Sequence, residues 1–284
     1  MTFSHVALRW LGAFSVAVVM AAGIVEAQAQ APNPGKDYEP QVGQRGKDVI
    51  WVPTPQALVD RMLDMAKVTP KDFVVDLGSG DGRTVITAAK RGARALGIEY
   101  NPDMVELSKR NAAKEGMGDK ATFINGDIFK SDFSNADVVT MFLLSSLNLK
   151  LRPTLLAMKP GTRLVSNTFD MGDWKADRVE HVTEGCTGYC RAYLWIVPAK
   201  VDGTWTMGQG DLMGELVLEQ QYQMITGTVK TGNVVAPITD GKLNADQITF
   251  RAGGTEYTGW VKGSAMEGTA KGGGADAKWQ ASKR

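Results

Sequence analysis

The residues with the clearest chemical potential are Asp76-Leu77-Gly78-Ser79-Gly80-Asp81-Gly82, which follow a short apolar run, Phe73-Val74-Val75. Glycines at such a point let the backbone turn tightly and approach a ligand without Cβ clashes. Glu99, 21 positions after Gly78, closes a second apolar run. A carboxylate there can accept hydrogen bonds from both hydroxyls of a ribose. Asn125-Gly126-Asp127 ends a third run and can bring a carboxylate to an adenine amino group. A dinucleotide site would want Gly-x-Gly-x-x-Gly, but Arg83 stands at the third glycine position and only Gly-x-Gly-x-Gly is met. Pyrophosphate also favours an unblocked helix N-terminus, whereas Asp76 and Asp81 bring negative charge to this loop. The ligand that suits is a nucleoside bearing an ammonium and a sulfonium, without phosphate. Candidate ligand-binding residues are therefore Asp76, Gly78, Ser79, Gly80, Asp81, Gly82, Glu99 and Asp127.

These residues sit in an alternation of strand and helix from about residue 48 to 198. Thr54-Pro55 starts a helix, with Thr54 as N-cap, and Leu58, Val59, Met62, Leu63 and Ala66 recur at helical spacing to Val68. Strands are expected at 73–75, 94–98, 122–124, 136–143, 162–167 and 191–197, and helices at 84–90, 102–115 and 149–158. Such alternation predicts an α/β fold, a Rossmann-like, mostly parallel sheet with helices on both faces. After Pro198 the helical period vanishes and short glycine-punctuated strands follow, at 216–218, 222–229, 247–250 and 257–262. Residues 201–284 are expected to form a small antiparallel β domain, a meander or barrel. Its aromatic residues, Trp205, Tyr222, Tyr257, Trp260 and Trp279, read as core rather than as a ligand groove.

The chain resembles the class I, seven-strand S-adenosylmethionine-dependent methyltransferases. More narrowly it is similar to bacterial relatives of the mitochondrial lysine methyltransferases acting on the ATP synthase c subunit and the adenine nucleotide translocase. The narrower resemblance rests on Trp51-Val52-Pro53-Thr54-Pro55, the loop from Asp76 to Arg83, Leu147 to Pro153, Lys159 to Arg163, and Phe169 to Trp174. It implies that Asp76, Gly78, Gly80, Glu99 and Asp127 hold S-adenosyl-L-methionine and that Thr54 borders the methyl-transfer site. It implies a methyl-acceptor substrate, a protein lysine or another amine. The Asn- or Asp-Pro-Pro-Tyr tetrapeptide of many amino-group methyltransferases is absent after the fourth strand, where Leu143-Leu144-Ser145-Ser146 stands. Acceptor positioning therefore falls on Asn148, Ser145, Thr54 or Asp170, with Thr54 and Asn148 expected to position the acceptor. The alternative is an exported binding or scaffold protein that keeps the fold without the activity.

Lysine and arginine total 32 and aspartate and glutamate 31, a net charge of +1 that argues against a nucleic-acid surface driven by bulk charge. Arg9 precedes an uncharged run, Leu11 to Val25, and Ala27-Gln28-Ala29 fits a signal-peptidase site. Residues 1–29 are thus expected to be a signal peptide or a membrane anchor, residues 30–47 a flexible leader, and the folded part to lie in the periplasm or cell envelope. Cys186 and Cys190, the only cysteines, can close a small disulfide loop in an oxidising compartment. With His5 and His181 as the only histidines, no metal site is expected.

Overall fold

The computed structural model describes Met1 and residues 38–210, 212–272 and 276–284. Apart from Met1, the expected export segment lies outside the described residues. Among those residues, no helix is long and apolar enough to cross a membrane.

The first sheet has seven strands: β1 (Phe73–Leu77), β2 (Arg94–Glu99), β3 (Ala121–Asn125), β4 (Val138–Met141), β5 (Arg163–Asn167), β6 (Arg178–His181) and β7 (Arg191–Ile196). Their order is β3-β2-β1-β4-β5-β7-β6. The first five are parallel, and β7 and β6 complete the sheet antiparallel. The helices are α1 (Gln56–Met65), α2 (Arg83–Lys90), α3 (Pro102–Lys114) and α4 (Ser145–Leu156). Side chains alternate across a strand, so Val74 packs with α1, α2 and α3 on one face. Val75 and Leu77 pack with Leu151 and Leu155 of α4 on the other. Burial on both faces is why these strands read as unbroken apolar runs.

Strand order reverses beside β1, and the chain ends of β1 to β5 open onto one crevice, the place where ligands bind in open α/β sheets.

The second sheet runs through β8 (Gly203–Gln209), β9 (Leu212–Gln221), β10 (Met224–Thr231), β11 (Val234–Pro237), β12 (Thr239–Asn244), β13 (Gln247–Ala252), β14 (Thr255–Lys262), β15 (Ala265–Lys271) and β16 (Ala277–Lys283). β16 pairs with β8, β8 with β9 and β9 with β10, so eight strands close into a barrel while β11 lies along the far half of β10. Closure removes the exposed sheet edges. Phe250, Tyr257 and Trp279 stack inside with ring centroids 4.7 to 6.0 Å apart, and Trp205 is buried beside them. Trp260 departs from the core expectation, because it points outward and is about half exposed. Tyr222 also departs from it: it leaves the barrel to stack on Trp174 of the first sheet's half, 5.7 Å between centroids. Next to it, the Gln223 side chain donates to the Lys175 carbonyl at 2.8 Å.

Candidate active site

One cavity of about 520 Å³ opens over the carboxyl ends of β1 to β5. Its floor is the loop after β1. The amides of Gly78 and Ser79 both donate to the Ile98 carbonyl of β2, at 2.9 and 3.2 Å, which folds the loop back across the strand ends. The Gly80 amide donates to Glu99 Oε2 at 2.9 Å, and the Asn101 amide to Glu99 Oε1 at 2.9 Å. Ser108 and Asn111 of α3 hold the loop from behind through the Gly80 and Asp81 carbonyls, at 2.8 and 3.0 Å. Gly80 has φ +55°, and a Cβ there would lie 2.7 Å from Trp51 Nε1.

Asp76, Gly78, Ser79, Gly80, Asp81, Glu99 and Asp127 all line this cavity, and Gly82 does not. Gly82 is the left-handed residue before α2, and a Cβ on it would meet the Phe123 ring at 2.8 Å and Ser108 at 2.9 Å. The absence of a Cβ there lets the start of α2 pack closely against β3 and α3. Asp81 turns toward Arg83, with an Nη2–Oδ2 distance of 2.6 Å.

Asp76 is the buried carboxyl of the site, 6% exposed. Removal from water pushes its pKa up to about 7, against the opposing Thr140 hydrogen bond, and the nearby Glu99 and Asp81 push it further up. Thr140 Oγ1 donates to its Oδ1 at 2.6 Å.

Of the flexible leader expected over 30–47, the described residues run into a hairpin with residues 48–51 over the cavity. The Gly43 amide donates to the Trp51 carbonyl at 2.8 Å, and the Trp51 amide returns to Gln44 at 2.9 Å. Lys47 reaches across to Asp127 Oδ2 at 2.8 Å and lies 4.7 Å from the Tyr100 ring centre. The Lys47 hydrogen bond, then that of the Phe129 amide, hold the Asp127 carboxyl below its ordinary range.

Thr54 lines the cavity but does not cap α1. Its hydroxyl accepts from Asn167 Nδ2 at 3.2 Å, and its carbonyl accepts from Arg83 Nη1 at 2.9 Å. Asn148 is not at the cavity wall. It is fully buried, and its Nδ2 donates to the carbonyls of Phe169 and Asp170 at 3.0 and 3.2 Å. Leu144 and Leu147 line the cavity in its stead. The sequence reading also missed the three rings at this end, Phe142, Phe169 and Tyr189, which line the cavity with centroids 5.3 to 6.1 Å apart. Tyr189 lies in the loop closed by the Cys186–Cys190 disulfide. The short spacing of two cysteines around an aromatic residue was the available signal.

The lining holds the carboxylates of Asp48, Asp76, Asp81, Glu99 and Asp127 against Arg45, Lys47 and Arg83. Lys47 and Arg83 are already paired within that set, with Asp127 and Asp81. An acidic crevice over a glycine floor that a Cβ would fill fits a cationic nucleoside and not a pyrophosphate.

Residues 76–178 match the family described as the ANTKMT methyltransferase domain. The chain is 42% identical over 152 residues to a protein-lysine N-methyltransferase of Saccharolobus islandicus, covering 52% of this chain and 94% of that protein. It belongs to the class I S-adenosylmethionine-dependent methyltransferases. A crystal structure described as an RNA methyltransferase from Salinibacter ruber in complex with S-adenosyl-L-homocysteine is 46% identical, with a TM-score of 0.50, over 53% of this chain and 96% of that one. The human lysine N-methyltransferase named for the c subunit of ATP synthase is 33% identical over 130 residues, 45% of this chain and 55% of that protein. The cofactor of this methyltransferase is S-adenosylmethionine, and the cavity over β1 to β5 has the acidic, glycine-floored lining that such a ligand needs. These resemblances span about half of the chain, and the family match ends at residue 178, before the first barrel strand.

Proposed function

We propose that this methyltransferase transfers the methyl group to an amine, a protein lysine, at the β4–β5–β7 end of the cavity. One observation carries the reading: the cavity is acidic over β2 and β3, through Glu99 and Asp127, and aromatic over β4, β5 and β7, through Phe142, Phe169 and Tyr189. Glu99 is the residue to accept the ribose hydroxyls and Asp127 the one to face the adenine. Asp76 and the backbone carbonyls of the loop after β1 receive the ammonium end. The bound cofactor supplies an electrophilic methyl on a sulfonium, a good leaving group. The protein's work is therefore alignment, which can supply several kcal/mol of barrier reduction. Thr54, held by Asn167, borders the transfer position. Asn148 acts through the backbone it holds, fixing the carbonyls of Phe169 and Asp170. The acceptor must arrive as a neutral amine, and the apolar wall favours loss of its proton to water by desolvation.

The names of relatives support both protein and RNA acceptors. The net acidic lining and the near-neutral chain favour a cationic protein side chain over a polyanion. The Cys186–Cys190 bond supports an oxidising compartment, in keeping with export through residues 1–29 and a periplasmic or envelope location, with that segment cleaved or kept as an anchor. Two measurements test the reading. S-adenosylhomocysteine should raise the melting temperature of the mature protein. Labelled methyl from S-adenosylmethionine should enter protein in an envelope fraction as an acid-stable methyl-lysine; label appearing only in RNA refutes the acceptor.

A further inference from the structure

The part of the cavity not needed by the cofactor is its aromatic end. Phe142 follows β4, Phe169 follows β5 and Tyr189 precedes β7, so three separate segments converge there. Phe142 and Phe169 are near-parallel at 6.0 Å, and Tyr189 meets Phe142 edge-on at 5.3 Å. Phe142 and Phe169 are half-buried in the wall, whereas Tyr189 is 47% exposed. Its position is set by the chain around it. Cys186 packs against the core beside α1, Cys190 is buried at the start of β7, and the bond between them closes a loop of five residues. Gly188 and Tyr189 are both left-handed, at φ +67° and +52°. A non-glycine residue rarely adopts that conformation unless its surroundings impose it.

We propose that Phe142, Phe169 and Tyr189 form the face against which the acceptor nitrogen acquires its alkylammonium charge during transfer, and that the Cys186–Cys190 loop makes Tyr189 available to it. The inference rests on the amine-acceptor reading above and adds the residues and the redox condition. Ring faces attract a cation by their quadrupole, more strongly when water is excluded. As the amine nitrogen bonds to the methyl carbon and the carbon–sulfur bond breaks, positive charge builds on that nitrogen. The rings therefore hold the transition state more tightly than the neutral amine, which is what accelerates a step. Rings also ask for no hydrogen bond, so a nitrogen already carrying one or two methyl groups is accepted as well as a primary amine. The wall suits a slender chain ending in a compact cation. A nucleobase sandwiched between two rings needs them roughly 7 Å apart and parallel, and only Phe142 and Phe169 approach that geometry, at 6.0 Å.

The test uses the mature, oxidised protein saturated with S-adenosylhomocysteine and titrated by NMR with Nα-acetyl-N6,N6,N6-trimethyllysine amide. The comparison ligand is its neutral isostere, with carbon in place of the quaternary nitrogen. The cation should bind about 3- to 30-fold more tightly than the isostere. Y189F should keep that preference and Y189A should lose it. Dithiothreitol, which reduces the bond to two thiols and is itself oxidised to its cyclic disulfide, should reproduce Y189A. Affinity for S-adenosylhomocysteine should stay unchanged throughout, which shows that variant and reduced proteins remain folded. Equal binding of cation and isostere overturns the proposal, as does a preference that survives both Y189A and reduction. Binding of free cytidine or uridine that is lost in Y189A, with no binding of the cation, reassigns the rings to base stacking and also overturns it. Failure of the wild-type protein to bind S-adenosylhomocysteine would instead undo the cofactor reading beneath.

Discussion

Asp76 lies at the bottom of the cofactor cavity with its carboxyl out of water and its pKa pushed up to about 7 from 3.8. That displacement corresponds to a differential free energy on the order of 4 kcal/mol between the two protonation states. Lowering the pH is therefore a mutation-free perturbation of this one residue. On the proposed pairing of Asp76 with the ligand's ammonium, binding requires the carboxylate form. At pH 6 about one molecule in eleven carries that form, so affinity should sit roughly tenfold below its plateau at pH 8.5. Calorimetric titration with S-adenosylhomocysteine in buffers of different ionisation heat should show protons released on binding near pH 6. The ligand-free protein should respond in the opposite sense. A carboxyl raised in the folded state adds stability that is complete below its ordinary value near 4 and is lost as pH rises through 7. The melting temperature of the free protein should thus fall as pH rises from about 4 to about 7 and level off above that, while the ligand-induced increase grows. D76N keeps an acceptor for Thr140, and should bind at least tenfold more weakly at pH 8.5 with little pH dependence. An affinity that is flat from pH 6 to 8.5 in the wild-type protein, with no proton release, would refute the assignment of Asp76 to the ammonium.

Three other perturbations have defined outcomes. G80V places side-chain atoms against Trp51 Nε1, which a bare Cβ already meets at 2.7 Å; calorimetry should find no cofactor binding. In E99Q one amide N–H must face either the Gly80 or the Asn101 amide. Loss of one charge-assisted bond costs about 1.5–3 kcal/mol, so S-adenosylhomocysteine affinity should fall roughly 10- to 100-fold. Y222A removes the ring stacked 5.7 Å from Trp174. Calorimetric melting should then lose part of its cooperativity, with the barrel and the α/β half separating into two transitions, while cofactor affinity at low temperature changes little.

The α/β half was legible because its strands β1, β4 and β5 are buried on both faces and helices α1, α2 and α3 carry an apolar stripe. The strand before Asp76, the glycine loop and Glu99 came directly from spacing. What failed were residues whose role depends on distant partners. Thr54 has the type and place of an N-cap, but its hydroxyl is engaged by Asn167, 113 positions away. Asn148 was misplaced because α4 begins at Ser145, four residues before the first expected turn. That shift directs Leu147 to the cavity and Asn148 into the interior. The edge strand β6 has no apolar alternation, since three of its four residues are exposed. In the barrel, strands with large apolar residues were visible, but closure was not. The seam joins β8 to β16, with Trp205 opposite Lys283, and no local pattern records a pairing across some 78 residues.

The segment from Asn167 to Lys175 joins the two halves of the molecule to the aromatic end of the cavity. Phe169 lies on the cavity wall at one end of it, and Trp174, fully buried between Tyr222 and Trp195, lies at the other. Asn148 and Ser166 hold its Phe169 carbonyl at 3.0 and 2.7 Å, and Arg152 holds its Met171 carbonyl at 2.8 Å. The barrel adds the Tyr222 ring and the Gln223 bond to Lys175 from the far side. A loop of this length without regular structure would ordinarily be among the first parts to open. Here helix α4 fixes it from within and the barrel braces it from without, which keeps Phe169 in register with Phe142 and Tyr189. On the proposed function, the barrel limits the freedom of the wall against which the acceptor aligns.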